Sequence, residues 1–202
     1  SGQKLIKNLI GRDVPVVADP TILANRRIWD DLKGDRLIKK DYVMCYFLGN
    51  NPNHRKLAEE LSKKTGLPIV TLPHGDEIVK ADFGFGEIKP RGVGPAEFVN
   101  LISNAKYVCT DSFHGTVFSI LYKRQFMVFN RYTADVNGKS STNSRLSSLL
   151  NLLGLEKRLY DSSKGLKQDM FEPINFETAH KNIEKLREQS LAYLKNALSD
   201  SR

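Results

Sequence analysis

The chain has 202 residues and a formal net charge of +8, with 40% hydrophobic and 27% charged residues. These values are typical of a soluble globular domain with its own core. No apolar run approaches the ~20 residues of a membrane span, and the first residues lack the apolar core of a signal peptide. Because no nucleic-acid-binding signature is present, the excess positive charge favours a small anionic substrate.

The predicted elements alternate between helices and strands along the first part of the chain. Residue spacing predicts a helix over 3–10, a strand over 14–18, a turn over 19–21, a helix over 26–32, a strand over 42–48, a helix over 54–64 and a strand over 68–72. The strand over 42–48 is apolar at nearly every position, as expected for a strand buried on both faces. A glycine-rich segment over 73–95 follows and is expected to form a lid or interdomain loop.

The same alternation continues in the second part of the chain. It predicts a helix over 96–104, a strand over 107–109, a helix over 113–122, a strand over 126–129, a helix over 144–153 and a long helix over 176–198. Strands that alternate with helices predict a parallel sheet with helices on both faces, the Rossmann-like α/β class. Cys45 and Cys109 fall in predicted strands, so we expect them to be buried and reduced, which suits the cytoplasm.

The turn after the strand over 107–109 carries the strongest functional signal. The apolar run ends at the polar residues 110–112, and a helical pattern begins at Phe113. The free N–H groups of a first helical turn and the helix dipole favour an anion at such a place. His114 lies in that first turn, where an imidazole can bind an anion and transfer a proton.

Four neighbours of His114 are further candidates for the same site. Asp111 and Ser112 either orient His114 or cap the helix. Gly115 either lets the backbone approach a ligand or allows close packing of helix and sheet. Thr116 could add a hydroxyl group to the site.

Other candidates are expected at the carboxyl ends of strands, which meet at one edge of a parallel sheet. Asn50 and His74 are expected there, with turn formation as the alternative for Asn50. Arg131 follows the strand over 126–129 and is an anion candidate. Arg145 is expected near the start of a helix, where the dipole disfavours a cation. A bound carboxylate or phosphate would hold it there, and a structural arginine is the alternative.

Three further polar residues are interpreted as structural. Asp19 precedes a proline in a predicted turn, so its carboxylate is expected to hold that turn. His54 and His180 lie in predicted helices with no partner nearby in the sequence, so we expect them at the surface.

Three sequence blocks share their order and spacing with one known family. They are Asp19-Pro-Thr21 followed by Trp29, the block Thr110-Asp-Ser-Phe-His-Gly115, and the segment Asn143-Ser-Arg145 with its following helix. Together they span roughly residues 14 to 160, and the central block is the most specific. On these residues the chain resembles the polysaccharide pyruvyl transferases.

The resemblance implies a fold similar to one half of a GT-B-type transferase, whose active site lies between two Rossmann-like halves. It places this chain as the carboxyl-terminal, donor-binding half. Residues 1–13 would then be a remnant helix of an amino-terminal domain, 14–175 the donor-binding domain, and 176–202 a carboxyl-terminal helix packed on it. The missing amino-terminal domain would help to bind the acceptor sugar, so the isolated chain is expected to be inactive.

The resemblance also implies a reaction, which is transfer of pyruvate from phosphoenolpyruvate to sugar hydroxyls of a bacterial surface polysaccharide, forming a pyruvate ketal. The implied acceptor is a glycan or lipid-linked oligosaccharide, and no cofactor or metal ion is expected. His114 is expected to act as acid/base and phosphate ligand, and Arg145 as an anion clamp. The implied location is the cytoplasm, with peripheral contact at the inner face of the cell membrane.

Two other interpretations remain open from the sequence. The chain could be the nucleotide-sugar-binding half of a GT-B-type glycosyltransferase, although no acidic residue is obviously placed to hold a ribose. It could also be a non-catalytic Rossmann-like module whose basic edge contacts another chain.

Overall fold

The computed structural model describes residues 2–74, 78–132 and 140–199. In this part of the chain, five strands form one all-parallel sheet in the order β2-β1-β3-β4-β5. The strands are β1 (Val43–Tyr46), β2 (Ile69–Thr71), β3 (Tyr107–Thr110), β4 (Gln125–Phe129) and β5 (Leu159–Tyr160). The predicted α/β class with a Rossmann-like parallel sheet is therefore confirmed.

The helices of the described residues connect and cover these strands. They are α1 (Gly2–Ile10), α2 (Pro20–Leu23), α3 (Arg26–Lys33), α4 (Pro52–Thr65), α5 (Pro95–Ser103), α6 (Phe113–Leu121), α7 (Ser140–Leu153) and α8 (Glu177–Ser199). Short 3₁₀ helices lie at Lys80–Asp82, Glu156–Arg158, Ser162–Lys164 and Gln168–Met170. No helix in the described ranges combines the length and apolar character that a membrane crossing requires.

Two apolar layers sandwich the sheet because successive strand residues point to opposite faces. Val43 and Cys45 of β1 pack with α4, through Leu57 and Leu61, on one face. Met44 points to the other face, where the core also includes buried residues of α5, α6, α7 and α8. Both cysteines are buried and free, as predicted.

The order of the strands reverses beside β1. From β1 the chain passes through α4 to β2 on one side, and then through α5 to β3 on the other side of β1. In open α/β sheets, the crevice beyond the carboxyl ends of two such strands is the usual ligand site. The residues that follow β1 and β3 extend from those ends, so the fold brings residues 48–50 and 111–114 to one place.

Three sequence predictions about structure are wrong, and one strand was missed. Residues 14–18 form no strand, and Ala18 N–H instead donates to Ser190 Oγ of α8 at 2.9 Å. The two-residue strand β5 was not predicted. Helix α7 begins at Ser140 rather than at residue 144, so Arg145 lies more than one turn inside it. The unfavourable effect of the helix dipole on a cation is confined to the first turn and does not apply to Arg145. His54 was expected at the surface, but it is only 2% exposed because its ring stacks on Phe129.

Candidate functional site

Asp111 joins the carboxyl ends of β1 and β3. Its side chain is fully buried, and its two oxygens accept hydrogen bonds from Leu48 N–H at 2.7 Å and Gly49 N–H at 2.9 Å. Burial raises the pKa of Asp111, although these two amides and the Arg131 guanidinium oppose the rise. Its carboxylate is therefore directed at the backbone of the loop after β1, and direct contact with substrate stays a prediction.

Gly49 lies where a side chain would not fit. A Cβ atom added there would lie 2.9 Å from Asp111 Oδ2 and 2.9 Å from Arg131 Cγ. Arg131 is itself held here, because its guanidinium donates to the Asp111 carbonyl at 3.3 Å and its Nε lies 3.9 Å from the carboxylate. Asn50, the next residue, is exposed beyond the end of β1.

Side-chain hydrogen bonds shape the turn that leads into α6. Ser112 is the helix cap, and its Oγ accepts from Gly115 N–H at 3.3 Å. Thr110 Oγ1 accepts from Ser112 N–H at 3.0 Å, and a Cβ on Gly115 would lie 2.7 Å from that oxygen. Thr116 is buried and donates its hydroxyl to Ser112 O at 2.8 Å. These contacts support the capping interpretation of Ser112 and the packing interpretation of Gly115.

His114 points away from this packed turn. Its side chain is 54% exposed, and its Nε2 lies 3.7 Å from Asp19 Oδ1. Within the described residues, the backbone N–H groups of Phe113 and His114 make no hydrogen bond. The start of α6 thus offers open donors and an accessible imidazole, which is the arrangement that binds an anion.

Arg145 approaches the same helix start from α7. Its guanidinium lies 4.6 Å from the centre of the Phe113 ring, and Phe113 directly precedes His114. Stacking on an aromatic face orients a guanidinium and leaves its N–H fork available to an anion. The structure therefore brings Arg145 to the helix start that carries His114, while Arg131 is bound to the buried Asp111.

Asp19 is a member of this site that the sequence interpretation placed in a structural role only. Its carboxylate caps α2 by accepting from the backbone N–H and the hydroxyl of Thr21. Burial raises the pKa of Asp19, but the bonds from Thr21 and the nearby charges of His114 and Arg145 outweigh it, so the net shift is downward. Asp19 is therefore a carboxylate at neutral pH, close to the side chains of His114 and Arg145. Its position in the first family block was the signal that could have identified it.

A cleft of about 1000 Å³ opens beside His114. Its walls come from α2, α3, the ends of β1 and β2, the glycine-rich segment, α5 and α6. Several aromatic rings lie in the lining, and Trp29 and Phe98 contact Phe118 edge-on at 5.1 and 6.1 Å. Most of the lining is apolar or aromatic, namely Trp29, Tyr46, Leu72, Pro73, Pro90, Val93, Pro95, Phe98, Val99 and Phe118.

Leu72 and Pro73 follow β2 and line the cleft, and His74 is the next residue. Its Nδ1 is 2.8 Å from Oδ2 of Asp82, and its side chain is only 8% exposed. The predicted placement of His74 at the carboxyl edge is therefore observed, but its partner Asp82, in the glycine-rich segment, was not predicted. No pattern in the sequence marks that pairing, because it depends on how the segment folds back.

One comparison with known proteins gives a match. A family model described as polysaccharide pyruvyl transferase matches residues 1–132. This range contains Asp19, His74 and the turn that carries His114, and it ends before Arg145. A search of curated proteins found no match.

Proposed function

Because this chain belongs to the polysaccharide pyruvyl transferase family, we propose that it binds phosphoenolpyruvate and serves transfer of its pyruvyl group to sugar hydroxyls of a surface polysaccharide. The product would be a cyclic ketal that bridges two hydroxyls. The donor carries a phosphate and a carboxylate, so its site needs cationic and N–H groups together with an acid/base.

The convergence of His114, Arg145 and the open amides of α6 carries this proposal. A phosphate seated on the amides of Phe113 and His114 would benefit from the helix dipole and meet the His114 imidazole. Arg145, stacked 4.6 Å above the Phe113 ring, could then hold the donor carboxylate through two parallel hydrogen bonds. The match in residue types and charges, rather than the fold, is what favours this donor.

His114 is suited to start the reaction by giving a proton to C3 of the enol. C2 then becomes an oxocarbenium-like centre, to which a sugar hydroxyl adds. Phosphate leaves from C2, and a second hydroxyl closes the ketal. Asp19, 3.7 Å from His114 Nε2, would attract the imidazolium and restrict its orientation, while Arg145 balances the charge of the donor.

The aromatic cleft is suited to the acceptor. Sugar rings have apolar faces that pack on aromatic side chains, and Trp29 and Phe118 present such surfaces beside His114. A glycan or lipid-linked oligosaccharide could enter there. An amino-terminal domain of the same protein would complete the cleft, and the isolated chain would then bind donor without transferring it. The reaction would take place in the cytoplasm, at the inner face of the cell membrane.

A nucleotide-sugar donor is the second candidate, because an aromatic cleft also suits a flat base. Thermal denaturation with phosphoenolpyruvate and with a nucleoside diphosphate separates the two. We expect phosphoenolpyruvate to raise the melting temperature, and to do so less in His114→Ala and Arg145→Ala. A larger rise with the nucleoside diphosphate would favour the glycosyltransferase, and no rise with either ligand would favour a non-catalytic module.

A further inference from the structure

A largely buried chain of charged groups lies at the carboxyl edge of the sheet and begins at His74, one residue after Pro73 in the wall of the cleft. His74 Nδ1 lies 2.8 Å from Asp82 Oδ2. The other carboxylate oxygen, Oδ1, accepts two hydrogen bonds from Arg55, at 2.9 Å from Nε and 2.8 Å from its terminal nitrogen. Arg55 also donates to the carbonyl of Gly49 at 2.6 Å, so the chain is anchored to the loop that Asp111 holds.

This arrangement fixes the role of Nδ1 of His74. A carboxylate bound to Arg55 can only accept, so Nδ1 of His74 carries a hydrogen, and in the neutral imidazole the lone pair is on Nε2. That Nε2 atom is buried and has no hydrogen-bond partner within the described ranges. A buried nitrogen without a partner needs an explanation, and a role in contacting the substrate would provide it. His74 directly follows Pro73, which lines the cleft together with His114.

Ketal formation needs a proton acceptor in addition to the acid that protonates C3. Each of the two sugar hydroxyls loses its proton when it bonds to C2. One acid group can supply C3, and a second, neutral imidazole that accepts the hydroxyl proton allows both proton transfers to occur in the first addition. An imidazole whose Nδ1–H is held by a carboxylate is suited to that role.

We propose that His74 is this base, and that Asp82, held by Arg55, is the residue that positions it. The inference rests on the proposed pyruvyl transfer. In the first step the hydroxyl oxygen bonds to C2, its proton passes to His74 Nε2, and the π electrons of C2=C3 take a proton from His114. In the second step the bond from C2 to the phosphate oxygen breaks, and phosphate leaves with the electron pair and the proton from His74. The second hydroxyl then bonds to C2 and gives its proton to His114, which restores both histidines.

Asp82→Asn tests the positioning role sharply. Arg55 donates to the Oδ1 position, so the oxygen of the new amide would stay there and its NH₂ group would face His74 Nδ1. The amide would then donate to Nδ1 and force the proton onto Nε2, which removes the base. Asp41→Asn is the matched control, because Asp41 also pairs with an arginine, Arg36 at 3.0 Å, on the exposed surface.

The experiment has two measurements: ¹⁵N NMR spectra of the labelled histidines give the tautomer of His74, and steady-state kinetics of the full protein give kcat and KM. The kinetic probes are phosphoenolpyruvate and the producing cell's surface polysaccharide, freed of ketals by mild acid. We expect the Nδ1–H tautomer for His74 in the unmodified chain and the Nε2–H tautomer in Asp82→Asn. In both Asp82→Asn and His74→Asn, kcat should fall about 100-fold with the KM for phosphoenolpyruvate within about threefold. Asp41→Asn should change neither.

The outcomes separate the two proposals. An Nε2–H tautomer in the unmodified chain, or full kcat in His74→Asn, would overturn the role of His74 while leaving pyruvyl transfer intact. Equal losses in kcat for Asp82→Asn and Asp41→Asn would overturn the positioning role of Asp82. An unmodified full protein that transfers no pyruvate would overturn the proposed function and the base role with it.

Discussion

Nε2 of His114 lies 3.7 Å from Oδ1 of Asp19, so the exposed imidazole at the start of α6 faces the carboxylate that caps α2. The two residues come from distant parts of the chain, and packing of α2 against α6 brings them together. The backbone N–H of Thr21 donates to the same oxygen at 3.0 Å and holds the carboxylate in place. The pair gives His114 a fixed, charged neighbour, which a surface histidine would lack.

Asp19→Asn should lower kcat without unfolding the protein. Asparagine is as good a helix cap as aspartate, so α2 should keep its start, but the charge beside His114 is lost. We expect kcat to fall roughly five- to tenfold, as for about 1 kcal/mol of lost ion pairing. Asp161→Asn is the matched control, since Asp161 caps a 3₁₀ helix by the same contact with Ser163 N–H. An equal loss of activity in both variants would contradict the role of Asp19.

Arg145→Lys should raise the KM for phosphoenolpyruvate about tenfold, and Arg145→Ala about 100-fold. Lysine keeps the charge but loses the planar fork and the stacking on Phe113. Arg26→Lys is the control, because Arg26 stacks in the same way over Tyr122 at 4.9 Å, just beyond the opposite end of α6. An unchanged KM in Arg145→Ala would show that this arginine binds no donor.

His54 should make the protein sensitive to acid. Burial, with a smaller effect of Arg55, lowers the pKa of His54 from its ordinary 6.5 to about 4. The folded state therefore resists protonation of a group that the unfolded chain protonates near pH 6.5. The free energy of unfolding should be highest above that pH and fall by on the order of 3 kcal/mol as pH drops from 6.5 to 4.

His54→Phe isolates this effect, because phenylalanine keeps the stacking on Phe129 but cannot titrate. The raised pKa of Asp111 acts in the opposite direction in both proteins, and its Oδ2 lies 3.9 Å from His54 Nδ1, so their difference reports His54 together with its contact to Asp111. Urea denaturation at pH 7.5 and pH 4.5 is the measurement. We expect the variant to lose clearly less stability than the unmodified protein over this interval. Equal losses of unfolding free energy in the two proteins would show that His54 does not cause the sensitivity to acid.

Gly49→Ala should destabilise the fold at the switch point of the sheet. The new Cβ would lie 2.9 Å from both Asp111 Oδ2 and Arg131 Cγ, and a buried carboxylate has little room to move. We expect a loss of about 1–3 kcal/mol, or several degrees in melting temperature. Gly2→Ala, whose added Cβ meets nothing within 4 Å, should leave the melting temperature unchanged or higher. An unchanged melting temperature in Gly49→Ala would mean that the loop after β1 shifts to make room for the new Cβ.

The sheet and its binding edge were predictable because their signals are local. Apolar runs marked β1 to β4, and the break after residue 109 marked the turn that carries His114. The strand β5 has only two residues, too few for a pattern, and its pairing with β4 decides its structure. Residues 14–18 look like a strand, but the hydrogen bond of Ala18 to Ser190 holds them against α8 instead.

The polar partners in the site were less predictable, because they join distant segments. The helical position of His54 suggested a surface residue, yet its ring packs on Phe129 of β4. The cap residue Asp19 and the loop residue Asp82 each reach a histidine only after the chain has folded back. Residue type and the family block pointed to His114, whereas the carboxylates that face the two histidines required the three-dimensional structure.

The rate of pyruvyl transfer by His114→Ala shows whether this histidine takes part in the reaction. Labelled phosphoenolpyruvate and the ketal-free surface polysaccharide are supplied to the full protein, and label in the polysaccharide is counted. We predict transfer by the unmodified protein and a loss of about 100-fold or more in His114→Ala, with an unchanged melting temperature of the free protein. His180→Ala is the control, because His180 contacts the Ile120 carbonyl away from the site. Undiminished transfer by a folded His114→Ala variant would contradict the account.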